Sequence, residues 1–261
     1  MPIRIATWNV NSLKARLPRV EEWLEYAQPD VLCVQETKLS DSAFPAMAFQ
    51  ALGYDGVHHG EGRWNGVAIL SRVGIDEPIS GFCEDVVPGD EARLLSATCG
   101  GARVSSIYVP NGRMVGHEQW FHKLEWLGRL RRHLENGCDP NQPMVICGDF
   151  NIAPDDRDVW DPAAVHGATH VSPEERAALR ELLDWGLVDV FRLHYDDAGL
   201  YSWWDYRAGN FHKKMGMRID LMLATEPLAK TSSWVLIDRN ARKGTAPSDH
   251  APLLGEFDLD L

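Results

Sequence analysis

Residues 143–154 read Pro143-Met144-Val145-Ile146-Cys147-Gly148-Asp149-Phe150-Asn151-Ile152-Ala153-Pro154, a short apolar run closed by glycine and followed by an aspartate and an asparagine. Such a run reads as a strand buried on both faces. An unpartnered carboxylate is too costly inside it, so Asp149 and Asn151 belong at the strand's C-terminal mouth. Layered α/β proteins build their sites at that end of a sheet. A lone Gly-Asp is more often a turn with a solvated aspartate. This one has company, because three other segments set Asn, Glu, Asp or His beside an apolar strand.

Upstream, Ile3 to Trp8 alternates as a strand and ends in Asn9-Val10-Asn11, whose amides can ligate, position or simply make a turn. From Pro18 the spacing Val20, Trp23, Leu24, Ala27 predicts a helix stopped at Pro29-Asp30. The strand Val31 to Val34 closes on Gln35-Glu36-Thr37-Lys38, and a glutamate there must be solvated, paired or bound to metal. Ser40 to Gly53 reads as a short helix with Pro45 near its start, His58 to Trp64 as a surface loop, and Asn65-Gly66 before Val67-Ala68-Ile69-Leu70 as a hairpin turn. Val104 to Ile107 is a further strand, leading to Tyr108-Val109-Pro110-Asn111-Gly112. Trp120, Leu124, Leu127, Leu130 and Leu134 mark one helical face, with Arg129, Arg131 and Arg132 on the solvated side.

Beyond the central stretch, Asp155 to Val171 is long and aperiodic, as functional loops are. Ser172-Pro173-Glu174-Glu175 is a capping box opening a helix that Gly186 stops, and Leu187 to Phe191 is a short element after it. Tyr201-Ser202-Trp203-Trp204-Asp205-Tyr206-Arg207 is rich in aromatics and precedes Lys213, Lys214 and Arg218. Aromatic and basic side chains together hold bases and sugars against phosphate contacts, although a core strand beside a solvated loop has the same composition. Asp220 has apolar residues on both sides and needs a partner. In Ser248-Asp249-His250-Ala251-Pro252 the neighbours Asp249 and His250 point apart, so His250 must find its orienting carboxylate elsewhere, and Asp220 is the natural one.

The 261 residues carry 44% hydrophobic side chains and show no linker, which suits one large layered domain, residues 1–261. No apolar run approaches the roughly 20 residues that span a bilayer, and no charged-then-apolar leader follows Met1. A soluble cytoplasmic protein is expected, with no membrane association and no obligate protein partner. Five cysteines without a Cys-x-x-Cys fit a reducing compartment and argue against structural zinc. A formal charge of -12 opposes simple adhesion to nucleic acid, yet carboxylates gathered at one mouth bind divalent cations and positive charge can be local.

Trp8-Asn9-Val10-Asn11, Gln35-Glu36-Thr37-Lys38, Asn65-Gly66-Val67-Ala68, Tyr108-Val109-Pro110-Asn111-Gly112, Gly148-Asp149-Phe150-Asn151, Arg218-Ile219-Asp220-Leu221 and Ser248-Asp249-His250-Ala251-Pro252 resemble, in this order, the motifs of the bacterial exonuclease III family. The likeness spans nearly the whole chain, and seven weak motifs in one order make a specific signal. It implies an α/β fold, a four-layer sandwich of two packed mixed sheets flanked by helices. It also implies a nuclease acting on double-stranded DNA with magnesium, or with manganese in its place. The implied activities are incision 5′ to abasic sites and removal of nucleotides or blocking groups from 3′ ends. By matching position, Glu36 holds the metal with Asn9 and Asp249 or with water, and Asp149, Asn151 and His250 border the same ion. Asp149 takes the proton of the attacking water, Asn151 orients that water or the phosphorane, Tyr108 bonds the phosphate, and His250, oriented by Asp220, stabilises developing charge. Asn11, Lys38, Arg63, Asn65, Trp203, Met217 and Arg218 fall to substrate contact, with Trp203 and Met217 lining a pocket for an extruded sugar. Arg63, Lys213, Lys214, Arg218, Arg239, Arg242 and Lys243 would face DNA. The superfamily also holds inositol polyphosphate phosphatases and sphingomyelinases, so a phosphoesterase of that kind and a DNA-binding relative without catalysis stay open, as does the choice of one or two metal ions.

Overall fold

The computed structural model describes residues 2–82 and 91–259. Among them the strands in chain order are β1 (Pro2–Asn9), β2 (Val31–Gln35), β3 (Asp55–His59), β4 (Val67–Ser71), β5 (Asp76–Ser80), β6 (Leu94–Cys99), β7 (Ala102–Tyr108), β8 (Met144–Asp149), β9 (Leu187–Asp189), β10 (Asp220–Thr225), β11 (Ser232–Ile237) and β12 (Leu253–Asp258). The helices that cover them include α1 (Leu13–Ala27), α2 (Ala46–Ala51), α3 (Glu118–Gly137), α4 (Pro162–Val165) and α5 (Pro173–Asp184). The strands form two six-stranded sheets, ordered β11-β12-β1-β2-β4-β3 and β5-β6-β7-β8-β10-β9.

Strand periodicity explains the layering. In β8 every residue is buried, Val145 and Cys147 on one face and Met144 and Ile146 on the other. Val145 and Cys147 join Ile3 and Ile5 of β1, Val31 and Cys33 of β2, and Val67 and Ile69 of β4 in one cluster between the sheets. Met144 and Ile146 pack instead on Trp126, Leu127 and Leu130 of α3 and Leu179 and Leu182 of α5. The outer face of the first sheet, with Trp8, Leu32, Val34 and Leu70, meets Leu13, Val20, Trp23 and Leu24 of α1 and Phe49 of α2. Helix, sheet, sheet and helix give the expected four-layer α/β sandwich, and both sheets mix parallel and antiparallel pairs.

Several local expectations shift. α1 begins at Leu13 and contains Pro18, so the helix starts earlier than the apolar spacing shows. Ser40 to Gly53 divides at Pro45 into a 3₁₀ turn, Asp41–Ala43, and α2. His58 and His59 end β3 instead of lying in a loop, with His58 Nδ1 donating to Asp41 Oδ1 at 2.8 Å. The hairpin β3–β4 forms, but its connection is longer than Asn65-Gly66. The capping box of α5 is present as read. Residues 201–207 make no named strand, and Trp203 forms isolated bridges to Met217 and His250. No helix among the described residues is long and apolar enough to cross a membrane.

Register places the site. Tyr108 of β7 and Asp220 of β10 lie directly opposite Asp149 of β8, and Asn9 of β1 lies opposite Gln35 of β2. Opposed residues share a face, so Tyr108, Asp149, Asp220 and Asn9 all point into the space between the sheets at one open end. Gly148 makes this possible: a Cβ there would stand 1.9 Å from the Ile107 carbonyl oxygen.

Candidate active site

Asn9 joins the two sheets. Its Nδ2 donates to Glu36 Oε1 and to Asp149 Oδ2, each at 2.9 Å. Lys38 Nζ reaches Glu36 Oε2 at 2.9 Å and Asn11 Oδ1 at 2.6 Å, and Asn11 Nδ2 donates to Asp249 Oδ1 at 3.0 Å. Trp203 Nε1 holds the other Asp249 oxygen at 3.1 Å. Across the mouth, His250 Nδ1 donates to Asp220 Oδ2 at 2.8 Å, which leaves Nε2 facing Asp149 Oδ2 at 3.8 Å. Asn151 N–H donates to Asp149 Oδ1 at 2.8 Å, while its side chain is held by Asn111 Nδ2 and the Val109 carbonyl, both at 3.0 Å. The segments carrying these groups are strained. Asn11, Glu36, Lys38, Asn65 and Asn151 have φ between 45° and 53°, the left-handed region that non-glycine residues seldom adopt.

Charge crowds this pocket. Burial, with the carboxylates of Asp220 and Glu36, pushes Asp149 up to about 7 against the pull of His250. Burial also opposes charge on His250, but the Asp220 and Asp149 carboxylates outweigh it and raise the ring to about 10. Burial and the nearby Glu36 carboxylate keep the Tyr108 phenol protonated well beyond its ordinary range.

Ligand atoms of Glu36, Asp149 and His250 lie within 4.8 Å of one another. The Glu36 and Asp149 carboxylates are the hard oxygen donors that divalent cations such as magnesium accept. The residues therefore fit a divalent cation. Asp249 stands outside that group, tied to Asn11 and Trp203.

The model of the Endonuclease/Exonuclease/phosphatase family matches residues 6–250. The chain belongs to this family. Exodeoxyribonuclease III of Haemophilus influenzae is 35% identical, over 98% of this chain and 100% of the relative. An AP endonuclease from Archaeoglobus fulgidus superposes with a TM-score of 0.95 at 38% identity, covering 98% of this chain and 100% of its own. A 3′ phosphatase from Neisseria, bound to product DNA hairpin, superposes with a TM-score of 0.94 at the same identity and coverage.

Within this endonuclease/exonuclease/phosphatase chain, most of the residues expected at the site converge there. Asn65 is buried at the rim, its Nδ2 donating to Glu61 and Glu91. Arg63 is exposed and lies over the exposed Trp64 ring at 5.6 Å. Met217, 9% exposed, packs with the half-buried Trp203. Arg218 is a correction: it is 0% exposed, and its guanidinium is spent on Asp158 and Asp189 at 2.6–3.1 Å, so it cannot meet substrate. Arg242 is likewise buried, donating to the Ser248 carbonyl, whereas Lys213, Lys214, Arg239 and Lys243 are exposed.

Sequence reading missed two groups behind Asn151. His170, from the long loop, is buried and its Nδ1 donates to the Asn151 carbonyl at 2.5 Å. Burial and the Lys123 charge lower it to about 4, which keeps the ring neutral. Lys123 of α3 is the second, paired with Glu175. Only the length of the loop hinted at the first, and nothing in the helical pattern at the second.

Proposed function

We propose that this chain, residues 1–261 acting as one domain, is a magnesium-dependent DNA repair nuclease of the exonuclease III type in the cytoplasm. It hydrolyses the phosphodiester 5′ to abasic sites and removes nucleotides or blocking groups 3′ to 5′ from duplex DNA. The observation that carries this is the convergence of Glu36, Asp149 and the Asp220–His250 pair from two sheets on one open mouth. The near full-length likeness to an exodeoxyribonuclease III supports the substrate class.

Phosphodiester hydrolysis needs an activated water and stabilisation of charge on the nonbridging oxygens, so positioning and electrostatics do most of the catalysis. A bound cation, held by Glu36 with Asn9 and Asp249 or water alongside, would supply part of that charge. Asp149 accepts the proton of the attacking water, its carboxylate fixed from both sides by Asn9 Nδ2 and the Asn151 N–H. Asn151, locked by Asn111, borders the space where that water stands. Tyr108 donates its phenol to a phosphate oxygen. His250 presents Nε2 to the developing charge, its ring fixed by Asp220. Trp203 and Met217 wall the sugar. Asn11 and Lys38 hold the Glu36 turn at the point where DNA enters, and the exposed Arg63, Lys213, Lys214, Arg239 and Lys243 supply local positive charge on an acidic chain.

The test incubates the protein and magnesium with an abasic-site duplex, a recessed 3′ end, a 3′-phosphate duplex and an inositol phosphate, with and without excess chelator. Cleavage of the DNAs alone, abolished by chelator, is expected. Hydrolysis of the inositol phosphate with DNA untouched would make the chain a phosphatase of this family, and DNA binding without cleavage would make it a binding relative. Processing of 3′ ends with intact abasic sites would remove the abasic part alone.

A further inference from the structure

The apolar face of α3 carries a lysine. Lys123 is fully buried in the row that includes Trp120, Trp126 and Leu127, where an ammonium is expensive unless its contacts are good. Its Nζ donates to Glu175 Oε1 and, at 2.6 Å, to the backbone carbonyl of Asn151. Glu175 is held in turn by Ser172 N–H and Oγ at 3.1 and 2.8 Å and by Thr169 Oγ1 at 3.1 Å. Gly112, at the end of the Tyr108 segment, closes over the cluster so tightly that a Cβ there would sit 3.2 Å from Lys123 Cδ.

The carbonyl that Lys123 grips belongs to a residue with φ 51°, and the same turn directs the Asn151 N–H at Asp149 Oδ1. Left-handed backbone at a non-glycine residue persists only where the surroundings over-determine it. A methionine would fill the same apolar row without a buried charge, so packing alone does not call for lysine. We propose that Lys123, braced by Glu175, is a positioning residue for the hydrolysis: it holds Asn151 in its turn and thereby aims the Asp149 carboxylate. This rests on the reading of Asp149 as the group that takes the water's proton.

The test measures turnover and KM on a recessed duplex for the wild type, Asp149→Asn and the double variant Lys123→Met/Glu175→Gln, together with melting temperatures and the amide exchange rate of Asn151. The double variant leaves no unpaired buried charge and is expected to melt near the wild type. Its kcat should fall about 100-fold with KM unchanged, the usual consequence of a small misplacement at a reacting group. The Asn151 amide should exchange faster. A purely structural ion pair would leave kcat and that amide as they are, and such a result overturns the proposal. If the double variant does not fold, Lys123→Arg decides: a planar cation keeps Glu175 paired but cannot take the ammonium's place against Asn151 without moving the carbonyl. Loss of kcat at constant KM supports the proposal, and unchanged kcat refutes it. Full activity in Asp149→Asn would instead remove the reading of Asp149, and this inference with it.

Discussion

Tyr108, Asp149 and Asp220 stand side by side in regular strand register across the second sheet, whereas Asn11, Glu36 and Lys38 of the first sheet sit on left-handed backbone beyond their strands' ends. Ladder hydrogen bonds place the first set, and losing one side chain leaves the others where they were. The second set is placed by its own side chains, Lys38 bridging Glu36 and Asn11, and Asn11 reaching on to Asp249. One half of the mouth is therefore scaffold with chemistry attached. In the other half, chemistry and scaffold are the same atoms.

The largest effect on turnover is expected where chemistry is separable from scaffold. Asp149→Asn keeps the shape and removes a carboxylate crowded by Asp220 and Glu36. Turnover on duplex DNA should fall by about 10³-fold or more, as for a lost general base. Melting, followed by calorimetry without metal, should fall by only a few degrees, because relief of the repulsion from Asp220 and Glu36 offsets the loss of the one buried hydrogen bond that an amide cannot accept. A collapse of the melting temperature would show that Asp149 belongs to the scaffold after all.

Next in size is the Asp220–His250 pair. Asp220 holds Nδ1, so removing either partner disables the same function, and the losses should not multiply. Asp220→Asn and His250→Ala should each slow abasic or 3′-end cleavage about 100-fold at saturating DNA, and the double variant little more than the worse single. Independent, multiplying penalties would dissolve the pair.

The same division explains what could be read in the sequence. Residues at strand ends were legible because an apolar run with a polar stop has few physical solutions: Asp149, Asp220 and the Asp220–His250 partnership all follow from burial and alternation. Lys123 was illegible, since the helical face drawn through Leu124 is rotated by one position from the buried row through Lys123, and no spacing rule puts an ammonium in a core. His170 hid in an aperiodic loop. Glu36 was visible as a costly glutamate, but its left-handed turn depends on Asn11 and Lys38 arriving from two strands, which only the tertiary fold supplies.

Arg218 shows the limit from the other side, and it carries the smallest expected effect on turnover. Beside Asp220 in sequence and among basic residues, it reads as a substrate contact. The fold turns it inward, where Nε and one terminal nitrogen fork onto Asp158 and the remaining donors meet Asp189, with the Phe191 ring 5.1 Å from the guanidinium carbon. Asp158, also paired with Arg192, anchors the long loop after Asn151, so Arg218 ties that loop to β9 and β10. Asp220 itself is held independently, by the ladder to β8 and by Ser202 Oγ at 3.0 Å. Arg218→Met should therefore leave Asp189 without its cation and Asp158 with Arg192 alone, and cost about 3–5 kcal/mol of stability in chemical denaturation, the range for a broken buried ion pair. At a temperature where the variant is folded, kcat and KM on DNA should stay close to wild type. A raised KM with an unchanged denaturation midpoint would return Arg218 to the substrate and erase the line drawn between scaffold and chemistry on this side of the mouth.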